Sequence, residues 1–156
     1  MMETVMAVRP PDPQTAPLPG TPDYVLDAQV GFLLRRATQR HLAIFAAHIP
    51  TLTPTQFAAL AKLVALGPTS QNALGRATAM DAATIKGVVD RLRQKGLVDN
   101  LPVGDDKRRI VLAPTEAGRA AFADLSRAAL TITAETLAPL DAEERALLVD
   151  LLRKLG

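Results

Sequence analysis

The sequence predicts a mainly α-helical fold carrying one small β-hairpin, and three observations lead there. Of the 156 residues 48% are apolar but only 3% aromatic, with no Trp, so the interior must be aliphatic, which suits helix packed on helix. Apolar residues recur at three- and four-residue steps along most of the chain, the period of a helix with one buried face. Two short β-prone runs, Leu97-Val98 and Ile110-Val111-Leu112, bracket Gly104-Asp105-Asp106, a turn signal that joins them as a hairpin.

A chain of this size and apolar content can bury a core without metal or disulfide staples. It has no cysteine, which excludes disulfides, thiolate metal sites and cysteine-based peroxide sensing. With two histidines, His41 and His48, two turns apart, no metal or other cofactor is expected. The first residues, Met-Met-Glu-Thr, lack the basic and apolar stretches of a leader, and no apolar run approaches the roughly 18 residues of a membrane span. The expectation is a cytoplasmic protein with no membrane partner.

The elements follow in order. Residues 1–22 hold half of the 12 prolines and no apolar period, which predicts a disordered Pro-rich arm. From Asp23 to about Pro50 a long helix is expected, with Val30, Leu33, Leu34, Ala37, His41, Ile44, Phe45 and His48 on one face. Thr53-Pro54-Thr55-Gln56 is a capping box with proline at the first helical position, opening a second helix that Gly67-Pro68 stops. Ser70 caps a short third helix through Ala77, and Asp81 caps a fourth that turns Ile85, Val88, Val89 and Leu92 inward before Gly96. After the hairpin, Thr115 caps a fifth helix with Phe122, Leu125, Ala129 and Ile132 on one side. Asp141 and Glu144 open a sixth, whose Leu147, Leu148, Leu151, Leu152 and Leu155 make a stripe too broad for one neighbour, so a homodimer is expected.

Two short helices joined by a tight turn and followed by a hairpin with the tip Asp105-Asp106-Lys107-Arg108-Arg109 have the order of a winged helix-turn-helix. The net charge is only +2, but Lys86, Arg91, Arg93, Lys95 and the tip gather cations in mid-chain, which points to double-stranded DNA as partner. Asp81 starts a helix whose Ala82, Ala83 and Thr84 are small enough for close approach to a major groove. Lys86 there is the candidate for a base edge or phosphate. Arg91 suits the phosphate backbone, as do Ser70 and Gln71 at the preceding helix start. Arg108 suits the minor groove with Asp106 holding it, and Lys107 and Arg109 add phosphate affinity.

The blocks Thr84-Ile85-Lys86-Gly87-Val88-Val89-Asp90-Arg91-Leu92, Lys95-Gly96-Leu97-Val98, Asp106-x-Arg108 and Thr115-Glu116-x-Gly118 resemble the MarR family of winged helix-turn-helix regulators, with no insertion between them. The resemblance implies the same roles for Asp106 and Arg108. It also implies a dimer with a helical dimerisation region at residues 23–50 and 115–156 and a DNA-binding lobe at residues 51–114. Ala79 stands where the family's turn often has glycine, and Gly87 replaces a side chain that often reads DNA.

Many members of that family are released from DNA by a small aromatic anion. Here Arg36, Arg40, His41 and His48 along the first helix, with Phe57 on the second, make a constellation suited to an aromatic carboxylate. The stretch from Leu26 to Arg36, Arg40-His41 and Leu52 to Phe57 resembles the subgroup that regulates nicotinate degradation and senses a hydroxynicotinate. Hydroxycinnamates or their coenzyme A thioesters stay open as effectors. The resulting expectation is a ligand-responsive repressor, not an enzyme, acting on a pseudo-palindromic operator. A winged-helix interaction module that does not bind DNA, or a small enzyme acting on aromatic acids, are the competing classes; for an enzyme the chain lacks a nucleophile elbow, a Gly-rich phosphate loop and a His-rich metal motif.

Overall fold

The computed structural model describes Pro22, residues 24–102 and residues 110–156. The proposed arm, except Pro22, and the wing tip with Asp106, Lys107, Arg108 and Arg109 lie outside the described residues. The chain divides into an N-terminal unit ending at Arg40 and a larger unit, His41–Gly156. Among the described residues no helix is long and apolar enough to cross a membrane.

In the N-terminal unit a single helical turn, Leu26–Ala28, precedes α1, Val30–His48, whose second half belongs to the larger unit. The helix expected from Asp23 therefore starts later. Gln29 is extended, φ −82° and ψ 129°, and accepts the first α1 hydrogen bond from Leu33 N–H, so it separates the turn from the helix. The Gln29 amide donates to the Val25 carbonyl at 3.0 Å. At the other end His48 is the last helical residue, and Ile49 after it precedes a proline, a position that disfavours helical dihedrals.

The larger unit is built around α2 (Pro54–Leu66), α3 (Gln71–Ala77), α4 (Ala82–Gln94), α5 (Glu116–Thr136) and α6 (Ala142–Leu155). Each begins on the cap read from sequence. Thr53 and Gln56 form the box on α2, Asp141 and Glu144 that on α6, and the side chains of Ser70, Asp81 and Thr115 accept from Ala73, Thr84 and Gly118 N–H. Leu60, Leu63, Leu74, Ile85, Val89 and Leu92 are fully buried or nearly so where α2, α3 and α4 meet. Ile132 of α5 and Ile49 close the same core. Burial of one such side chain stabilises by roughly 1.5–3 kcal/mol.

The hairpin is β1 (Val98–Pro102) antiparallel to β2 (Ile110–Pro114), with Val98 opposite Pro114 and Asn100 opposite Leu112. A third segment joins it: Thr69 exchanges both backbone hydrogen bonds with Leu112, at 3.0 and 2.8 Å. Thr69 directly precedes the α3 cap, so α3 is pinned to the middle of β2. A one-residue strand has no period, which is why the sequence did not reveal it.

Gly118 fixes the approach of α5 to the end of α4. The Thr115 hydroxyl donates to the Gly96 carbonyl at 2.7 Å, Thr115 N–H donates to the Leu97 carbonyl at 3.1 Å, and a Cβ on Gly118 would fall 2.0 Å from that Leu97 oxygen. The threonine and glycine of this block thus lock α5 onto the Gly96-Leu97 turn.

Candidate nucleic-acid interface

The helix-turn-helix is held by two close contacts. A Cβ on Gly75 would already sit 3.1 Å from the Met80 carbonyl and 3.2 Å from Ile85 Cγ2, so α3 and α4 approach through the space glycine leaves. In the turn, Thr78 Oγ1 donates to the Leu74 carbonyl at 2.8 Å and Met80 N–H to the Gly75 carbonyl at 2.9 Å. Between them Ala79 takes φ 52°, the left-handed conformation that the missing glycine would have adopted freely. An L-residue there costs roughly 1–2 kcal/mol.

With Ile85, Val88, Val89 and Leu92 turned into the core, α4 presents Ala82, Ala83, Thr84, Lys86, Gly87 and Arg91 to solvent as one exposed face. Asp81 accepts from Thr84 N–H at 2.7 Å, and this bond together with the Thr84 hydroxyl holds its carboxyl below the usual carboxylate range. Ser70 is exposed and Gln71 half-buried at the start of α3. The structure brings Lys86, Arg91, Thr84, Ala82, Ser70 and Gln71 into one helix-turn-helix. The other four predicted DNA residues belong to the wing tip.

Lys86 is not free. Its ammonium lies 2.7 Å from Asp90 Oδ2, and the other Asp90 oxygen lies 3.2 Å from Arg93 Nη1. Hydrogen bonding and charge from Lys86, with the nearby Arg93, hold the Asp90 carboxyl below its ordinary range. Arg93 in turn donates to the Asn100 side chain on β1. Neither Asp90 nor Asn100 stands out as functional in the sequence, where the four-residue step from Lys86 to Asp90 is the available signal.

Of the predicted effector residues, His41 and Phe57 line one cavity of about 220 Å³ together with Phe45, Pro54, Ala129, Ile132 and Thr133. His41 Nδ1 is 3.1 Å from the Thr136 hydroxyl, which orients the ring. The ring centroids of His41 and Phe45, Phe45 and Phe57, and Phe57 and Phe122 are 6.3, 6.1 and 6.0 Å apart, so three of the chain's 4 phenylalanines gather here. His48 is not on the cavity wall; its Nε2 is 2.9 Å from a Glu135 carboxylate oxygen. Arg36 and Arg40 belong to the N-terminal unit, where Arg36 lies 4.0 Å from Asp27 and 6.0 Å over the Phe32 ring. A larger cavity, about 470 Å³, is lined by Leu42, Ala46, Ile49, Leu52 and Lys95 among others, and the Lys95 ammonium on its wall donates to the Thr51 carbonyl.

The profile of the MarR family matches residues 52–110, the span from just before α2 to the start of β2. The transcriptional repressor NicR of Pseudomonas putida is 43% identical over 145 residues, 92% of this chain and 91% of that protein. Among solved structures, a probable transcriptional regulator from Pseudomonas aeruginosa is 50% identical with a TM-score of 0.81, covering 85% of this chain and 100% of that one. BpsR of Bordetella bronchiseptica, whose structure concerns regulation of its DNA binding by 6-hydroxynicotinic acid, is 40% identical with a TM-score of 0.80, covering 85% and 96%. The capped helix-turn-helix, the hairpin beside it and a near full-length relative agree: the chain belongs to the MarR family of transcriptional regulators.

Proposed function

We propose that this regulator is a cytoplasmic homodimeric repressor that holds a pseudo-palindromic operator through two winged lobes and is released by a single-ring aromatic carboxylate of the hydroxynicotinate class. The observation that carries the DNA reading is the outer face of α4, small residues and two cations over a buried apolar face. In the major groove Lys86 takes a base edge or phosphate and Arg91 a phosphate, with Ser70 and Gln71 donating from α3 and Ala82 and Thr84 permitting close approach. In the wing, Asp106 steadies Arg108 in the minor groove while Lys107 and Arg109 add phosphate contacts.

The dimer is proposed to use residues 23–50 and 115–156, with the lobe at residues 51–114 and residues 1–22 as an arm. Leu147, Leu151 and Leu155 of α6 are 58%, 45% and 73% exposed in the single chain, an apolar row that a second copy would cover.

For the effector, the aromatic-poor chain concentrates its rings around His41, beside a cavity smaller than the roughly 300–1,000 Å³ of drug-sized sites. That size favours a one-ring acid over a coenzyme A thioester. BpsR, whose DNA binding is regulated by 6-hydroxynicotinic acid, supports the hydroxynicotinate class by likeness. A ligand of this kind releases DNA only by binding the DNA-incompetent arrangement more tightly.

Charge reversal tests the first part. Lys86→Glu and Arg108→Glu should each abolish retention of a duplex selected from a random pool; an interaction module would keep its partner through both. Calorimetry with hydroxynicotinates, hydroxycinnamates and benzoates tests the second. Equal affinities for wild type and His41→Ala would remove the pocket from the proposal.

A further inference from the structure

Asp90 stands between the two DNA-reading parts proposed above. One of its oxygens holds Lys86 on the outer face of α4, and the other holds Arg93. Arg93 reaches Asn100 through its second terminal nitrogen, while its Nε is buried with no hydrogen-bond partner among the described residues. A guanidinium with one buried N–H unsatisfied depends on its remaining bonds, so losing either Asp90 or Asn100 leaves it poorly held. Asn100 lies opposite Leu112 in the hairpin, and Leu112 is the residue that also bridges Thr69 ahead of the α3 cap. The tie from α4 therefore lands where all three wing segments meet.

We propose that Asp90 is a positioning residue that couples major-groove engagement by Lys86 to placement of the wing through Arg93 and Asn100. The inference rests on the DNA interface proposed above. In the free protein one carboxylate serves two cations. The Lys86 pair is exposed, with the two side chains 68% and 38% accessible, so a phosphate or base edge displaces it at small cost. Once Lys86 moves onto DNA, Asp90 is left wholly to Arg93, the Arg93–Asn100 bond is held more firmly, and the wing root is set against α4. Engagement of one groove thereby favours engagement of the other.

The test is a double-mutant cycle in DNA affinity, using the tightest duplex recovered by selection from a random pool and fluorescence anisotropy at fixed salt. Lys86→Ala and Asn100→Leu should each weaken binding, and their combined loss should fall short of the product of the single losses by at least threefold. In an Asp90→Asn background the two losses should multiply independently. Hydroxyl-radical footprinting should show Asn100→Leu reducing minor-groove protection, with Asn100→Asp, which keeps an acceptor for Arg93, restoring it. Asn100→Ala serves if the leucine variant does not fold by circular dichroism. Independent losses in the wild-type background overturn the coupling while leaving the DNA interface standing. No loss from Lys86→Ala overturns both.

Discussion

Replacing Gly118 by alanine separates tertiary constraint from helix propensity. Gly118 sits in the first turn of α5, where an unconstrained Gly→Ala change would stabilise by roughly 1 kcal/mol. Here the new Cβ would lie 2.0 Å from the Leu97 carbonyl oxygen and 3.0 Å from the Leu97 carbonyl carbon, both backbone atoms. Relieving that overlap costs roughly 1–3 kcal/mol. Moving α5 outward also stretches the bonds from Thr115 to the Gly96 and Leu97 carbonyls, at roughly 1 kcal/mol each. Set against the propensity gain, the net loss is roughly 2–4 kcal/mol, and for a chain of this length it lowers Tm by roughly 4–16 °C at fixed protein concentration. Gly87→Ala is the control: no atom lies within 4 Å of its added Cβ, so it should gain close to 1 kcal/mol and melt about 2–4 °C higher. A Gly118→Ala protein that melts at or above wild type would refute the close approach.

Three further outcomes follow from the same geometry. Ala79→Gly removes left-handed strain of about 1 kcal/mol, partly offset by unfolded-chain entropy, so Tm should hold or rise slightly while Ala79→Val lowers it; equal melting of the two would show that the turn does not demand φ 52°. Because the Asp81 carboxyl is held below its ordinary range by Thr84, its contribution is present above the unfolded value, about 3.9, and disappears as pH falls through the lower folded value. The Tm gap between wild type and Asp81→Ala should therefore be full at neutral pH and close in acid, while Asp81→Asn, which caps without titrating, should show a smaller acid dependence; a gap independent of pH would contradict the cap. Leu151→Glu with Leu155→Glu should shift sedimentation at micromolar concentration from dimer to monomer while helical content is kept, and an unchanged dimer would place the interface elsewhere.

What the sequence revealed and what it hid divide by range. The caps at Thr53, Ser70, Asp81, Thr115 and Asp141 were legible because each is a bond across three residues, determined by local chemistry alone. Gly96, with φ 70°, and Gly67, with φ 75°, were equally plain as helix stops. The start of α1 was not, because an unbroken apolar period does not register a single extended residue such as Gln29. Longer contacts were hidden as well. His41 and His48 share a helix face in sequence, but the structure sends one to Thr136 beside the cavity and the other to Glu135. Only the placement of α5 decides which is which. The Arg93–Asn100 bond likewise needs the turn at Gly96 to fold β1 back toward α4.

The charge arrangement has a consequence for how such a regulator lets go. With a net charge of only +2, and Arg93 committed to Asp90 and Asn100, each α4 in the proposed interface offers the major groove Lys86 and Arg91. An α4 with so few cations releases few counterions, so its own contribution is modest and falls only gently with salt, the proposed wing cations adding the rest. In the proposed dimer the second lobe acts intramolecularly, and simultaneous engagement multiplies affinity by roughly 10²–10⁴ provided the spacing matches. An effector in the His41 cavity then does not need to block any DNA contact. Stabilising a spacing that seats one lobe and misplaces the other is enough to forfeit that factor, and the effector's differential affinity for the two spacings sets the limit of what it can achieve.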